Sequence, residues 1–159
     1  MSATTGADVS SRTDVRAAAG VNDAILAIGR VLIALIFVSS GIEKFIDLGK
    51  TASVIASKDL PYPDVLAVLT ATLELIGGLL IILGWQTRLS ALALAAFSAV
   101  AAYFFHDFWN LPPGPEHANM MIHFMKNVSI IGGFLMLCAV GAGRYSLDGP
   151  CIRAEYLRP

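Results

Sequence analysis

A glutamate stands inside an apolar run long enough to cross a membrane. The stretch Leu66 to Gly84, LAVLTATLELIGGLLIILG, carries a single ionisable residue, Glu74. A spanning helix needs roughly 20 mostly apolar residues for a ~30 Å hydrocarbon layer, at about 1.5 Å per residue. A bare carboxylate at the centre of that layer costs about 3 kcal/mol on insertion scales. The rest of the chain must therefore bring polar atoms to Glu74, from a neighbouring helix or from a ligand.

Composition places the whole chain in the same solvent. Of 159 residues, 56% are hydrophobic and 14% charged, and the mean hydropathy is +0.69. That is too apolar for a soluble domain of this length and fits an integral membrane protein. A formal charge of -1, with no basic stripe interleaved with aromatics, excludes a nucleic-acid partner. Cys138 and Cys151 make neither a disulfide framework nor a metal site and read as two free thiols. His106, His117 and His123, with Asp107 or Glu116, carry ligand atoms, but no HExxH or CxxC spacing organises them, so no metal is predicted. P-loop, nucleophile-elbow and dinucleotide fingerprints are missing too.

Four spans account for the apolar residues, so the expected fold is an all-α bundle of four transmembrane helices. Residues 1–22 lack the apolar core of a secretory signal and read as a flexible N-terminal lead. The transmembrane domain is expected over 23–145, with spans near Ala24–Phe45, Leu66–Gly84, Leu89–Phe105 and Asn119–Val140. Between the first two, Ile46–Ser57 suits a short helix on the membrane surface, and Leu60-Pro61-Tyr62-Pro63 breaks the chain. Pro112, Pro113 and Pro115 make Leu111–Ala118 an irregular, stiff link. Residues 146–159 form a short tail.

Arg12, Arg16, Arg88, Arg144, Arg153 and Arg158 fall on one side of such a bundle, against Lys50 and Lys58 on the other. That bias predicts cytoplasmic N- and C-termini in a multi-pass cell-membrane protein. Gly77-Gly78 and Gly132-Gly133 occupy matching places in the second and fourth spans, which suggests two parallel helical-hairpin repeats.

The polar residues inside the spans converge on the half of the bundle away from the termini. The expected partner of Glu74 is Lys126, whose neighbours His123 and Asn127 lie within one helical turn on the same face. His106, at the end of the third span, extends this network. Glu43 and Lys44 at the end of the first span are expected to support it, as is Arg30, which either snorkels to the interface or points inward. Ionisable groups kept within a membrane mark a functional site by default, because hydrocarbon makes them costly.

The combination of Arg30, Phe37-Val38-Ser39-Ser40-Gly41-Ile42-Glu43-Lys44-Phe45, Glu74-Leu75-Ile76-Gly77-Gly78, Gly84 with Thr87-Arg88, Phe105-His106-Asp107-Phe108-Trp109, Lys126-Asn127 with Gly132-Gly133, and Ser146-Leu147-Asp148 resembles the DoxX family of small four-helix membrane proteins. The resemblance covers about Ile28 to Asp148. Some members are similar to a subunit of archaeal thiosulfate:quinone oxidoreductase. The resemblance thus implies an inner-membrane protein linked to quinone or thiol redox chemistry. Quinone is the expected ligand, with Lys126, Asn127 or His106 donating to a ring oxygen and Glu74 relaying a proton. No flavin, haem or iron-sulfur motif supplies electrons, so a redox partner subunit or a diffusible reductant is expected. Whether this chain alone is an enzyme stays open. The alternatives are a scaffold or assembly factor whose buried network fixes the bundle, and a small-solute transporter, for which four spans call for a homo-oligomer.

Overall fold

The computed structural model describes residues 5–149, with side chains from Gly20 onward. The fold is all-α: helices α1 (Thr5–Ile46), α2 (Leu48–Ala56), α3 (Pro63–Leu83), α4 (Thr87–Phe105) and α5 (Pro115–Val140), with one 3₁₀ turn at Phe108–Asn110. Four stretches are long and apolar enough to cross a membrane: Gly20–Ile46, Pro63–Leu83, Thr87–Asn110 and Pro115–Val140. Among the described residues there is no β-strand.

Two boundaries differ from the sequence reading. Helix α1 begins at Thr5, so the stretch expected to be a flexible lead is helical from there on; Ala17-Ala18-Ala19 are strong helix formers and no proline interrupts them. Helix α5 begins at Pro115, which draws Glu116 and His117 out of the expected link and into its first turn. Proline suits that first position because its missing N–H would have no helical partner there.

Helix α1 packs mainly on α3, α4 mainly on α5, and α3 on α4. Small residues set the α1–α3 spacing. A Cβ placed on Gly41 would stand 2.7 Å from the backbone nitrogen of Leu75, and one on Gly78 would stand 2.8 Å from Val38. Backbones that close need glycine at the crossing, which is how helices associate where lipid gives no hydrophobic drive. The common core joins Phe37, Ile81, Leu94 and Phe134, with Ala34, Ala91 and Ala95 between them. The rings of Phe37 and Phe134 meet at 5.3 Å and bring α1 onto α5 at this level.

Helix α1 stops short. With Gly41 against Leu75, Ile46 is level with about residue 70, so α3 continues roughly seven residues, or about 10 Å, beyond it. Helix α2 occupies that corner. It starts on Asp47, whose side chain accepts the Lys50 N–H at 2.9 Å. Ala52 and Ile55 are buried with Ala67 of α3 and touch Leu60, Leu66 and Phe105. The expected short helix is thus present as α2, with its Ala52–Ile55 face packed on α3.

The other end is closed by the chain after α5. Only Gly84-Trp85-Gln86 separate α3 from α4, and Gly84 takes φ +66° in contact with Arg30. Leu147 and Asp148 donate their backbone N–H groups to the carbonyls of Leu83 and Gly84. The Asp148 carboxylate accepts the N–H groups of Gln86 and Thr87 at 3.0 and 2.8 Å, capping α4. Arg144 reaches Asp23 at 4.0 Å.

Candidate functional site

The truncated end of α1, the inset α2 and the far halves of α3, α4 and α5 leave a cavity of about 800 Å³. Its walls are mostly apolar, including Phe37, Ile55, Leu66, Phe97, Phe104 and Ile130. That volume lies within the range of pockets that take drug-sized molecules. Against this apolar lining, two clusters of polar groups stand on opposite helix pairs.

The first cluster lies where α1 crosses α3. Glu74 is 5% exposed, near the middle of α3, and its Oε2 receives the Lys44 ammonium at 2.6 Å. Lys44 also donates to Ser40 Oγ, one helical turn back, at 2.6 Å. The cation beside Glu74 is thus Lys44 and not the expected Lys126. Gly41 explains the exchange: by letting α1 approach α3 closely, it carries the last turn of α1 to the level of Glu74. Glu43 lines the cavity on its exposed rim.

The second cluster sits on α4 and α5. His106 ends α4 and stacks on His123 of α5, ring centres 5.2 Å apart and 18° from parallel. Lys126 Nζ lies 3.2 Å from His123 Nδ1. An ammonium can only donate, so in this contact His123 Nδ1 takes the acceptor role. Asn127 donates from its side-chain amide to the His123 carbonyl at 3.1 Å. His106 Nδ1 is buried and has no hydrogen-bond partner among the described residues. His106, Lys126 and Asn127 line the cavity, and His123 does not.

Beyond His106, the Lys58 ammonium pairs with Asp107 at 2.8 Å and ties the α2–α3 link to the end of α4. Asn110 donates to the same carboxylate at 3.0 Å. Phe108, Trp109 and Phe124 stack edge to face around this rim, where aromatic rings suit the water–lipid boundary.

Arg30 is not part of the cavity. It points inward, 2% exposed, at the end of the bundle nearer the termini. There its guanidinium donates to the carbonyl of Tyr145, next to Gly84. Its Nε and Nη1 have no partner among the described residues. Sequence reasoning missed the Arg30–Tyr145 contact and the Asp148 cap on α4, and it missed Ser40 as the second acceptor for Lys44. The only local signal for Ser40 was its spacing, four residues before a lysine on one helix.

Comparison with known proteins agrees with this architecture. The DoxX profile matches residues 25–107. The chain is 35% identical over 124 residues to the inner membrane protein YphA of Escherichia coli (strain K12), covering 78% of this chain and 88% of that protein. It is 33% identical over 128 residues to the inner membrane protein YqjF of the same organism, covering 80% and 92%. A shorter match, 33% over 79 residues, links 47% of the chain to 29% of the Surfeit locus protein 4 homolog of Drosophila melanogaster. No solved structure matches the chain. On the profile match and the two relatives aligned over most of their length, this multi-pass membrane chain belongs to the DoxX family.

Proposed function

We propose that the chain is an inner-membrane protein whose cavity binds a hydrophobic molecule with a polar head, as part of quinone or thiol redox chemistry. One observation carries this reading. The Lys44–Glu74 pair lies on the wall of a mostly apolar cavity of about 800 Å³. A pair that only fixed helix packing needs no space beside it, whereas charges that face a space can be met by a polar head that offsets their desolvation. Helices α1 and α5 meet around Phe37 and Phe134 and then flank the cavity, so the gap between them is the entry for a molecule dissolved in the bilayer.

Lys44 and Ser40 on one side, with His106 and Asn127 on the other, offer polar atoms to the oxygens of a quinone ring. Glu74 and His106 are groups able to pass a proton to such an oxygen. Electrons come from a partner subunit or a diffusible reductant. Two helical-hairpin repeats are the finer reading of the fold, supported by α1 packing mainly on α3 and α4 on α5.

Purification in native lipid, followed by solvent extraction and mass spectrometry, tests the reading. A quinone or related molecule at roughly one per chain, lost in Lys44→Met, is the expected result. Bulk lipid alone in the extract points instead to a scaffold whose polar network serves the fold.

A further inference from the structure

Three hydrogen-bonding functions at the Lys44–Glu74 cluster are left open by the chain itself. An ammonium has three N–H donors and no acceptor. Ser40 Oγ and Glu74 Oε2 take two of them, which leaves one. The Ser40 hydroxyl, in accepting from Lys44, keeps its own proton to give. Glu74 Oε1 has no partner among the described residues, although the residue is 5% exposed and lines the cavity.

From this donor–donor–acceptor set we infer that the cavity selects head groups bearing a hydroxyl, phenols and hydroquinones, over head groups that offer carbonyl oxygens alone. The inference rests on the cavity being a ligand site, as proposed above. A hydroxyl accepts from Lys44 and donates to Glu74 Oε1 in one step. A carbonyl satisfies Lys44 but turns lone pairs toward Oε1 and leaves that acceptor unmet. An unmet buried polar group costs more than a met one gains, so the mismatch and not the match sets the preference.

Charge narrows the class further. The cavity is lined by three lysines, Lys44, Lys50 and Lys126, and three carboxylates, Glu43, Asp47 and Glu74. A phosphate or carboxylate head would meet Lys44 only by facing Glu74, and an ammonium head would meet Glu74 only by facing Lys44. A neutral head avoids both, and the hydroxyl is the neutral group that both donates and accepts through one atom.

The test uses the full-length chain in detergent under anaerobic conditions, with a tritiated long-chain 4-alkylphenol displaced, in separate samples, by an unlabelled decyl-substituted hydroquinone or by the matching benzoquinone. The wild type should favour the hydroquinone by about tenfold or more. In Glu74→Gln an amide N–H stands where an acceptor stood, so the ratio should fall to about one or reverse. Taking the ratio between the two proteins cancels the partition of each compound into micelles. A second measurement needs no variant: the wild type should bind a long-chain 4-alkylphenol about tenfold tighter than its methyl ether, once each is corrected for its own micelle partition. Equal binding of both members of either pair overturns the selection while leaving the cavity as a ligand site. Failure of every compound to bind overturns both.

Discussion

Lys44 and Glu74 face each other at 2.6 Å across the α1–α3 crossing, the lysine in the last turn of its helix and the acid near the middle of the other. Breaking a buried pair by removing one partner costs up to about 3–5 kcal/mol, and less here because the lysine side chain is 26% exposed. Glu74→Gln and Lys44→Met should each lower the detergent-state Tm by roughly 5–10 °C, at about 2–4 °C per kcal/mol for a chain of this size. The double substitution should recover much of the loss. Thermal scans of the four proteins form the cycle, and losses that simply add would show that the two side chains do not interact. Lys126→Met, whose lysine meets His123 instead, should shift Tm far less.

Gly41 holds that crossing together. Gly41→Ala puts a carbon 2.7 Å from the backbone of Leu75, which cannot rotate away. The expected cost is about 1–3 kcal/mol, with α1 displaced and the Lys44 contact lengthened. Gly132→Ala is the matched control, since nothing lies within 4 Å of its added carbon. Equal Tm values for the two variants would show that the close approach does not exist.

Asp148 predicts a pH dependence at the opposite end. Burial pushes its carboxyl upward, but the hydrogen bonds from Thr87 and Gln86 and the charge of Arg30 outweigh this and hold it below its ordinary value of 3.8. A carboxyl held lower in the folded chain adds stability that is present above the unfolded value and lost as pH falls through the folded one. Asp148→Asn should therefore cost about 1–2 kcal/mol at neutral pH. The difference between the two proteins should shrink steadily below pH ~4, where the wild-type carboxyl protonates. A gap that stays constant over that range would remove the charge from the explanation.

Topology is open to labelling in intact cells. With both native cysteines replaced, Asp59→Cys and Gly114→Cys, in the links at the α2 end of the bundle, should react with an impermeant maleimide. Arg144→Cys, beyond α5, should react only after the membrane is opened. The reverse pattern would place the termini outside.

Much of the architecture was legible in the sequence because one solvent dictates it. A run of some twenty apolar residues has few fates, and proline pairs and glycine exits mark its ends. The cavity residues Glu74, His106, Lys126 and Asn127 were legible for the same reason, each being polar inside an apolar run. The partner of Glu74 was not, because pairing depends on how far one helix slides along another. The sequence reading placed Lys44 only at the end of the first span, in a supporting role. A glycine three residues before Lys44 offsets the ends of the first two spans by about 10 Å, which turns a rim lysine into a mid-helix neighbour. The Asp148 cap was equally out of reach, since it joins positions 61 residues apart.

The early end of α1 also bears on how occupancy of the proposed site is set. A guest that slips between α1 and α5 to reach Lys44 travels within one leaflet and need never pass through water. The relevant supply is then its mole fraction among the surrounding lipids, and a molecule scarce in the aqueous phase still saturates the chain if the bilayer concentrates it.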